Sequence, residues 1–209
     1  MKMKIKNVKV YGLEESLIRS GYPMQFGEPE NLCDLIETRH PEMEDLSHIT
    51  RSKKLANTPN GSGHNNFLKG IIVQFDLQYP EYFSPQLQRY HWVDIVSSQS
   101  KMHKITSREL TVEDFTENVS EDYIAFINGC IRSYNEHMFS NENELWFKRI
   151  IENLPSGYLK WMGISTNYLQ LKTIYSQRKY HKLQEWRYFC KWIESLPYSE
   201  LITGVECSE

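Results

Sequence analysis

Hydrophobic and polar residues alternate strictly in one segment of the chain, VQFDLQY at residues 73–79. Its apolar positions are Val73, Phe75, Leu77 and Tyr79. A period of two places these side chains on one face of a β-strand, and Pro80 ends the strand because it has no N–H for a ladder hydrogen bond. KIKNVKVYGL at residues 4–13 alternates less strictly and predicts a further strand near the N-terminus.

Helices and one long loop are predicted around these strands. GLEESLIRSGYP at residues 12–23 predicts a short helix that the closing SGYP ends. Residues 28–55 favour helix with breaks at Pro41 and near Ser47. Turn-forming residues cluster in ANTPNGSGHNNF at residues 56–67, so this segment is predicted to be a loop.

A helix is also predicted directly after the strand that ends at Pro80. Ser84 has the position of an N-cap and Pro85 that of the first helical residue, so the helix should run through Gln86 and Arg89. The polar and aromatic segment that follows would then start on a helix.

The second half of the chain has a helical period. One stripe consists of Tyr123, Ile124, Ile127, Ile131 and Tyr134, and a later one of Leu183, Trp186, Phe189 or Cys190, and Ile193. TVED at residues 111–114 and NENE at residues 141–144 have capping-box spacing. PSG at residues 155–157 separates the helices, and Pro197 follows the last stripe. Few strands, many helices and no internal repeat predict an α+β fold, in one domain over residues 1–209.

Composition and charge narrow the possible partners. The formal net charge of -3 argues against a duplex nucleic-acid partner, which requires a basic surface. No run of about 18 apolar residues occurs, so we predict no membrane span and a cytoplasmic protein. The four cysteines form no CxxC pair, which indicates neither a disulfide framework nor a zinc site. A chain rich in lysine and asparagine is typical of a phage or a low-GC bacterium.

Polar residues of the late helix can converge on one ligand. If the helix after Ser165 is continuous, Asn167, Leu171, Ile174 and Arg178 lie on one face, because spacings of four, seven and eleven return to nearly the same direction. An amide and a guanidinium then point the same way. The alternative is that Arg178, within SQRKYHK, is a solvated charge near a helix end.

Metal and serine chemistry are poorly supported. His91 and His103 near Asp94 do not have the spacing of a known ligand set, and the serines of IVSSQSK lack the glycines of a nucleophile elbow. We therefore predict no metal site and no serine nucleophile.

One segment, PEYFSPQLQRYHWVDIVSSQSK at residues 80–101, resembles the signature region of the flavin-dependent thymidylate synthases. In that family a strand ending in proline leads to a glutamine, an Arg-His-Arg triplet and, seven residues later, a Ser-x-Arg. Gln86 and Arg89 match at this spacing, and Lys101 stands in the place of the final arginine.

Two further segments are similar to the same family. TNYLQLKTIYSQRKYHKLQEW at residues 166–186 resembles its late helix, and Asn167, Arg178 and Gln184 match. SGHNNFLKGIIVQFDL at residues 62–77 resembles its Gly-His loop, which places His64 and Asn66 near a ligand. Together the three segments cover about a third of the chain, in the family's order.

The resemblance implies a fold, an assembly and a reaction. The fold is α+β with a central antiparallel sheet and several helices, and the protein is a homotetramer with sites between subunits. The reaction methylates dUMP with methylenetetrahydrofolate, and FAD relays hydride from NADPH without a protein nucleophile. The nucleotide-binding residues implied are Gln86, Arg89, Gln99, Ser100, Lys101 and Arg178. The cofactor-binding residues implied are His64, Asn66, Arg89, Tyr90 and Asn167. Arg178 is also the implied catalytic residue, drawing charge from the base or the phosphate.

The chain departs from the family's pattern mainly toward the flavin. Tyr90-His91 replaces the second half of the triplet, and Lys101 keeps a positive charge without the planar fork of arginine. Leu169 and Thr173 stand where the family commonly has an arginine and an asparagine toward FAD. We therefore hypothesise that the nucleotide pocket is better preserved than the flavin pocket.

Three functions stay open on this basis. The first is a divergent thymidylate synthase-like protein that binds a dUMP-type pyrimidine deoxynucleotide and, if active, methylates it through FAD. The second is a non-catalytic nucleotide-binding protein on the same fold, a sensor or a sequestering protein. The third is an interaction protein whose aromatic helices serve assembly alone.

Overall fold

The computed structural model describes residues 2–29, 31–32, 46–137 and 140–204. The strands are β1 (Lys4–Tyr11), β2 (Ile72–Pro80), β3 (Asp94–Ser98) and β4 (Leu159–Asn167). They form one four-stranded antiparallel sheet in the order β1-β2-β4-β3. The prediction of an α+β fold with a central antiparallel sheet and several helices is confirmed.

Nine α-helices are described with their bounds. They are α1 (Leu13–Arg19), α2 (Leu46–Ala56), α3 (Ser84–Leu87), α4 (Lys101–Lys104), α5 (Glu121–Glu136), α6 (Asn143–Asn153), α7 (Tyr168–Arg178), α8 (Gln184–Ile193) and α9 (Glu200–Thr203). Short 3₁₀ helices lie at Tyr22–Met24, Asn66–Gly70, Glu81–Phe83 and Val112–Asp114. None of the helices in these described ranges is long and apolar enough to cross a membrane.

Several sequence predictions are confirmed by these elements. The strands near the N-terminus and at residues 73–79 are β1 and β2, and in β2 the four alternating apolar side chains are buried. The helix ended by SGYP is α1, and Ser20 is its C-cap. Thr111 and Asp114 form the predicted capping box. Pro41 lies outside the described residues, and the break near Ser47 stays a prediction, because α2 is described only from Leu46 and the residues before it lie outside the described ranges.

The helix predicted from Ser84 through Arg89 is shorter than expected. Ser84 already has helical angles (φ -54°, ψ -46°) and follows a 3₁₀ helix, so it is not an N-cap. The helix ends at Leu87, and Arg89 lies in a turn. The residues after Arg89 are aromatic and β-branched, which favours extended structure, and β3 begins at Asp94.

Three helix predictions in the second half also need correction. NENE forms no capping box, because α6 begins at Asn143 and Glu142 is an N-cap without a side-chain bond. Tyr123 is 47% exposed and does not belong to the buried stripe of α5. The helix expected from Ser165 starts at Tyr168, because the preceding residues form the unpredicted strand β4.

The described chain divides into two compact units. Unit 1 consists of Met1–Asn7, Phe75–Arg89 and Ile95–Ile164. Unit 2 consists of Val8–Gln74, Tyr90–Asp94 and Ser165–Glu209. A single domain over residues 1–209 stays a prediction.

The core of unit 1 is built on helix α5. Its buried members are Ile105, Leu110, Phe115, Ile124, Ile127, Cys130, Ile131 and Ile150. Asn128, on the same helix, is also buried, and its side-chain amide bonds both backbone groups of Leu110. The Leu110 N–H donates to Asn128 Oδ1, and Asn128 Nδ2 donates to the Leu110 carbonyl, each over 2.8 Å. This pair of bonds fixes the segment before the capping box onto α5.

Replacing Asn128 by alanine should lower the free energy of unfolding by about 2–3 kcal/mol, because two buried backbone groups lose their partners. Asn128→Asp keeps the acceptor but places a buried carboxylate oxygen against the Leu110 carbonyl, so we expect a loss at least as large at neutral pH. Urea unfolding of the three proteins measures both values. An Asn128→Ala protein as stable as the parent would contradict this role.

The core of unit 2 is formed by helices α7, α8 and α9 with the 3₁₀ helix at Asn66–Gly70. Buried side chains here include Leu68, Ile71, Tyr168, Leu171, Ile174, Trp186, Phe189 and Ile193. The Tyr168 hydroxyl donates to the Pro197 carbonyl over 2.5 Å, and Lys172 Nζ donates to the carbonyls of Ala56 and Thr58. The buried stripe predicted for the last long helix is thus confirmed from Trp186 to Ile193.

The two cysteines in the described ranges are both buried free thiols. They are Cys130 in α5 and Cys190 in α8, and burial raises the pKa of Cys190 to about 12. Cys33 and Cys207 lie outside the described residues. At neutral pH Cys190 is therefore a packing residue rather than a thiolate.

Candidate functional site

Unit 1 contains a polar cavity of ≈ 560 Å³ next to the end of β3. The connection from β3 to α4 contributes Gln99, Ser100 and Lys101 to its lining, and β2 contributes Gln78. The start of β4 contributes Lys160 and Trp161, and Tyr158 directly precedes that strand. Three of the nucleotide-binding residues implied by the sequence therefore lie around one cavity.

Gln99 is fixed by the neighbouring strand. Its backbone N–H donates to the Trp161 carbonyl over 2.9 Å, and its side-chain Oε1 accepts from the Trp161 N–H over 3.1 Å. Both bonds extend the pairing of β3 with β4 by one residue. The loop that carries Ser100 and Lys101 consequently leaves the sheet at a defined point.

Two lysines of the cavity share one carboxylate. Lys101 Nζ lies 3.0 Å from Glu81 Oε2, and Lys160 Nζ lies 2.8 Å from Glu81 Oε1. Burial alone would raise the pKa of Glu81, but hydrogen bonds from Lys160 and Lys101 outweigh it and lower that pKa below 4.5. Two ammonium groups and one carboxylate leave one positive charge at this side of the cavity.

The Glu81 carboxylate should make stability pH-dependent. Because its pKa is lowered in the folded state, its contribution is present above about pH 4.5 and is lost as the pH falls through the folded pKa. We expect Glu81→Gln to reduce the loss of stability between pH 7 and about pH 3. Urea unfolding at both pH values measures this difference, and an equal loss in both proteins would contradict it.

A second ion pair closes the far side of the cavity. Arg108 donates to both oxygens of Asp114, over 2.8 and 2.5 Å, and Asp114 also accepts from the Thr111 backbone N–H. Burial alone would raise the pKa of Asp114, but these hydrogen bonds outweigh it and lower that pKa. Lys104 is exposed at the rim and adds a further positive charge.

Unit 2 contains a separate polar and aromatic cluster around Arg178. Arg178 Nε donates to the Tyr90 hydroxyl over 2.7 Å, and that hydroxyl donates to Gln177 Oε1 over 3.0 Å. The guanidinium carbon lies 4.7 Å from the centroid of a ring of Trp186 and 5.6 Å from that of Tyr90. These contacts hold Arg178 in one orientation, so it is not a purely solvated charge at a helix end.

The remaining predicted residues have different surroundings. Arg89 is exposed in a turn of unit 1, and Gln86 is half-buried on α3. His64 and Asn66 are exposed at the end of the unit 2 loop, whereas their neighbour Asn65 is buried and hydrogen-bonds within that loop.

Asn167 is buried at the start of α7. It is the N-cap of this helix, and its Oδ1 accepts from the Gln170 N–H over 2.9 Å. The Asn167 side chain therefore has a role in helix capping that the sequence resemblance did not indicate.

Sequence reasoning missed several residues of the unit 1 cavity. Gln78 lies on the polar face of β2, and the strict alternation of that strand was a signal that could have identified it. Lys160 and Trp161 lie on β4, which was not predicted, so no signal pointed to them. Glu81 became recognisable only through its two lysine partners.

The residues expected to hold FAD fit it poorly. Tyr90 and Asn167 use their polar atoms within unit 2, as described above. At the positions where the resembled family has an arginine and an asparagine, Leu169 is aliphatic and Thr173 donates to the Leu169 carbonyl and accepts from Asn60. The altered positions thus add no cation for a pyrophosphate, and nucleotide binding alone, the first function proposed below, needs no flavin.

Comparison with known proteins identifies the fold. No family model and no curated protein matches the chain. The flavin-dependent thymidylate synthase ThyX from Helicobacter pylori, complexed with FAD and dUMP, matches with a TM-score of 0.60 and 15% identity over 100% of both chains. A second ThyX structure from that organism with FAD and dUMP matches with a TM-score of 0.60 and 15% identity, over 99% of this chain and 98% of the other.

A third solved structure supports the same assignment. The UMP/dUMP methylase PolB from Streptomyces cacaoi, bound with 5-Br dUMP, has a TM-score of 0.59 and 11% identity, over 92% of this chain and 88% of the other. The chain therefore has the fold of the flavin-dependent thymidylate synthases, in a divergent form. Identities of 11–15% show the fold alone.

Proposed function

We propose that the protein binds a pyrimidine deoxynucleotide of the dUMP type in the polar cavity of unit 1. The observation that supports this most is that Gln99, Ser100 and Lys101, which the signature segment assigns to the nucleotide, line one cavity of ≈ 560 Å³. Cavities of roughly 300–1,000 Å³ are typical of small-molecule sites. The fold likeness to proteins solved with dUMP and 5-Br dUMP supports the same ligand class.

The charges of the cavity match a phosphate monoester. Lys101 and Lys160 together exceed Glu81 by one positive charge, and Lys104 adds another. Arg108 and Asp114 neutralise each other, and Glu113, which also lines the cavity, is paired with Lys2 over 3.5 Å. A phosphate monoester carries a charge of about −1.5 to −2 at pH 7, so the excess of positive charge is of the right size.

Two aromatic residues of the cavity suit a base. Tyr158 is half-buried and packs edge-on against Phe115 with ring centroids 5.6 Å apart, and Trp161 is half-buried on β4. Aromatic side chains that line a polar cavity can stack on a heterocycle without selecting one. Selection of the base must therefore come from polar groups.

The predicted ligands outside this cavity could join the site through assembly of several subunits. Gln86, Arg89 and Arg178 stay predicted nucleotide ligands, with Arg178 drawing charge from the base or the phosphate. We propose the homotetramer that the resemblance implies, in which residues of different subunits share a site. Analytical ultracentrifugation tests this state, and a monomer at micromolar concentration would contradict it.

Reversing the charge at Lys104 tests the nucleotide site. Lys104→Glu should weaken dUMP binding about tenfold or more, because a carboxylate then faces the phosphate. Lys148→Glu on α6 is a matched control, since this exposed lysine does not line the cavity. Titration calorimetry gives both affinities. Equal weakening by the two variants, or no binding of dUMP to the parent protein, would overturn the proposal.

A second candidate is methylation of the bound nucleotide with methylenetetrahydrofolate, FAD and NADPH. The full-length fold match to a synthase solved with FAD and dUMP favours it. A visible spectrum of the purified protein with and without added FAD tests this candidate. A colourless protein whose melting temperature rises with dUMP would instead identify the non-catalytic alternative.

A further inference from the structure

One buried acceptor, on a side chain that lines the cavity, has no hydrogen-bond partner in the part of the chain that the structure describes. Gln78 is half-buried on β2, and its side-chain Oε1 is fully enclosed without a hydrogen-bond partner among the described residues. Buried polar atoms are nearly always paired, because an unpaired one loses its hydration without compensation. An orphaned acceptor inside a ligand-sized cavity is therefore a signal for a donor on a ligand.

The surroundings of Gln78 make this feature specific. Asp76, two residues earlier on the same face of β2, accepts from Asn7 Nδ2 over 2.5 Å. Among the residues that line the cavity, Gln99 Oε1 accepts from the Trp161 N–H, and Asp114 accepts from Arg108. These three acceptors are paired within the protein, whereas Gln78 Oε1 has no partner among the described residues.

We infer that Gln78 is the residue that reads the base edge of the bound nucleotide. The inference rests on the proposed function and deepens it. Uracil and thymine present a ring N–H donor next to a carbonyl acceptor, and a primary amide can accept from the first and donate to the second. In the same position cytosine presents an unprotonated ring nitrogen to Gln78 Oε1, and its amino group could donate to Oε1 only if the base shifted. An amide fixed opposite the ring nitrogen therefore selects a uracil- or thymine-type base over cytosine.

A single amide is enough to select the base, because Lys101 and Lys160 already bind the phosphate. Those cations hold the phosphate whatever base follows, so they give affinity without base selection. Gln78 would add selectivity for the base. The wrong base would leave Gln78 Oε1 buried without a donor, and this cost weakens the binding of an analogue. The site thus divides affinity and specificity between two groups of residues.

The test compares three ligands on three proteins by titration calorimetry. The ligands are dUMP, dCMP and 2-deoxyribose 5-phosphate, which lacks a base. The proteins are the parent, Gln78→Met, which keeps the length of the side chain without an acceptor oxygen, and Gln74→Met. Gln74 is exposed on the same face of β2 and does not line the cavity, so it is the matched control.

The parent protein and the Gln74→Met control should bind dUMP about tenfold or more tightly than dCMP. Gln78→Met should bind dUMP about tenfold more weakly than the parent, with unchanged affinity for 2-deoxyribose 5-phosphate. The melting temperature of ligand-free Gln78→Met should equal or exceed that of the parent, since no orphaned acceptor remains. Gln78→Leu serves if the methionine variant does not fold.

The outcomes separate this inference from the proposed function. If the parent binds dUMP and Gln78→Met binds it equally well, the role of Gln78 is overturned while nucleotide binding stands. A parent that prefers dCMP overturns the base assignment in the same way. If the parent binds neither dUMP nor 2-deoxyribose 5-phosphate, the proposed function fails and the inference fails with it.

Discussion

Replacing Trp186 by alanine should lower the free energy of unfolding by about 3–5 kcal/mol, which is the usual cost of removing a buried tryptophan. Trp186 is 0% exposed, and its ring packs edge-on against Tyr90 and Phe189 with centroids 5.9 Å apart in each case. It also supports the Arg178 guanidinium. Domains commonly have a total stability of about 5–15 kcal/mol, so this loss is a substantial fraction of the total.

Urea unfolding followed by circular dichroism measures this effect. Tyr180→Ala is the control, because Tyr180 is also aromatic but is 87% exposed, and we expect a change within about 0.5 kcal/mol. A Trp186→Ala protein that unfolds at the same urea concentration as the control would show that the cluster is not a core element of unit 2.

Reversing the charge at Arg178 should lower the free energy of unfolding by about 2–4 kcal/mol. The variant loses a charged hydrogen bond to the Tyr90 hydroxyl, commonly about 1.5–3 kcal/mol, and a cation–π contact with Trp186 of about 0.5–2 kcal/mol. A glutamate would also direct negative charge at the electron-rich faces of both rings. We therefore expect Arg178→Glu to affect folding as well as any ligand.

Two further variants separate the structural effect from the ligand effect. Lys182→Glu makes the same change of charge at an exposed position of the following loop, and it should change the free energy of unfolding by about 0.5 kcal/mol or less. Arg178→Lys keeps the charge but gives up the planar stacking, so an intermediate stability is expected. If Arg178→Glu is as stable as Lys182→Glu, the stacking has no energetic role.

The sequence predicted the elements whose pattern depends on local periodicity. The strict alternation of β2 and the spacing of Trp186, Phe189 and Ile193 on α8 each have a single consistent interpretation, and both are confirmed. β4 was missed because LKWMGISTN mixes a lysine and a glycine with its apolar residues, so no period of two is visible. Its strand character depends on pairing with β2 and β3, which are distant in the sequence.

The candidate site shows the same difference between local patterns and long-range contacts. A motif with fixed spacing, which is visible in a single sequence, predicted Gln99, Ser100 and Lys101. Glu81 and Lys160 are separated by a long stretch of chain, and their ion pair appears only when β2 and β4 are brought together. Spacing rules do not reach such pairs, because a contact between distant segments leaves no local pattern.

Tyr90 occupies the middle of the triplet in which the resembled family has histidine, and its contacts make this tyrosine costly to replace. Its hydroxyl joins Arg178 to Gln177, and its ring packs against Trp186. An imidazole ring is shorter than a phenol and ends before the position of that hydroxyl, so Tyr90→His alone would break both hydrogen bonds. The family's Arg-His-Arg triplet is two substitutions away, Tyr90→His and His91→Arg, and we expect the first of them to give a less stable protein. Packing in unit 2 therefore makes the tyrosine at this position a requirement of folding, independent of any ligand.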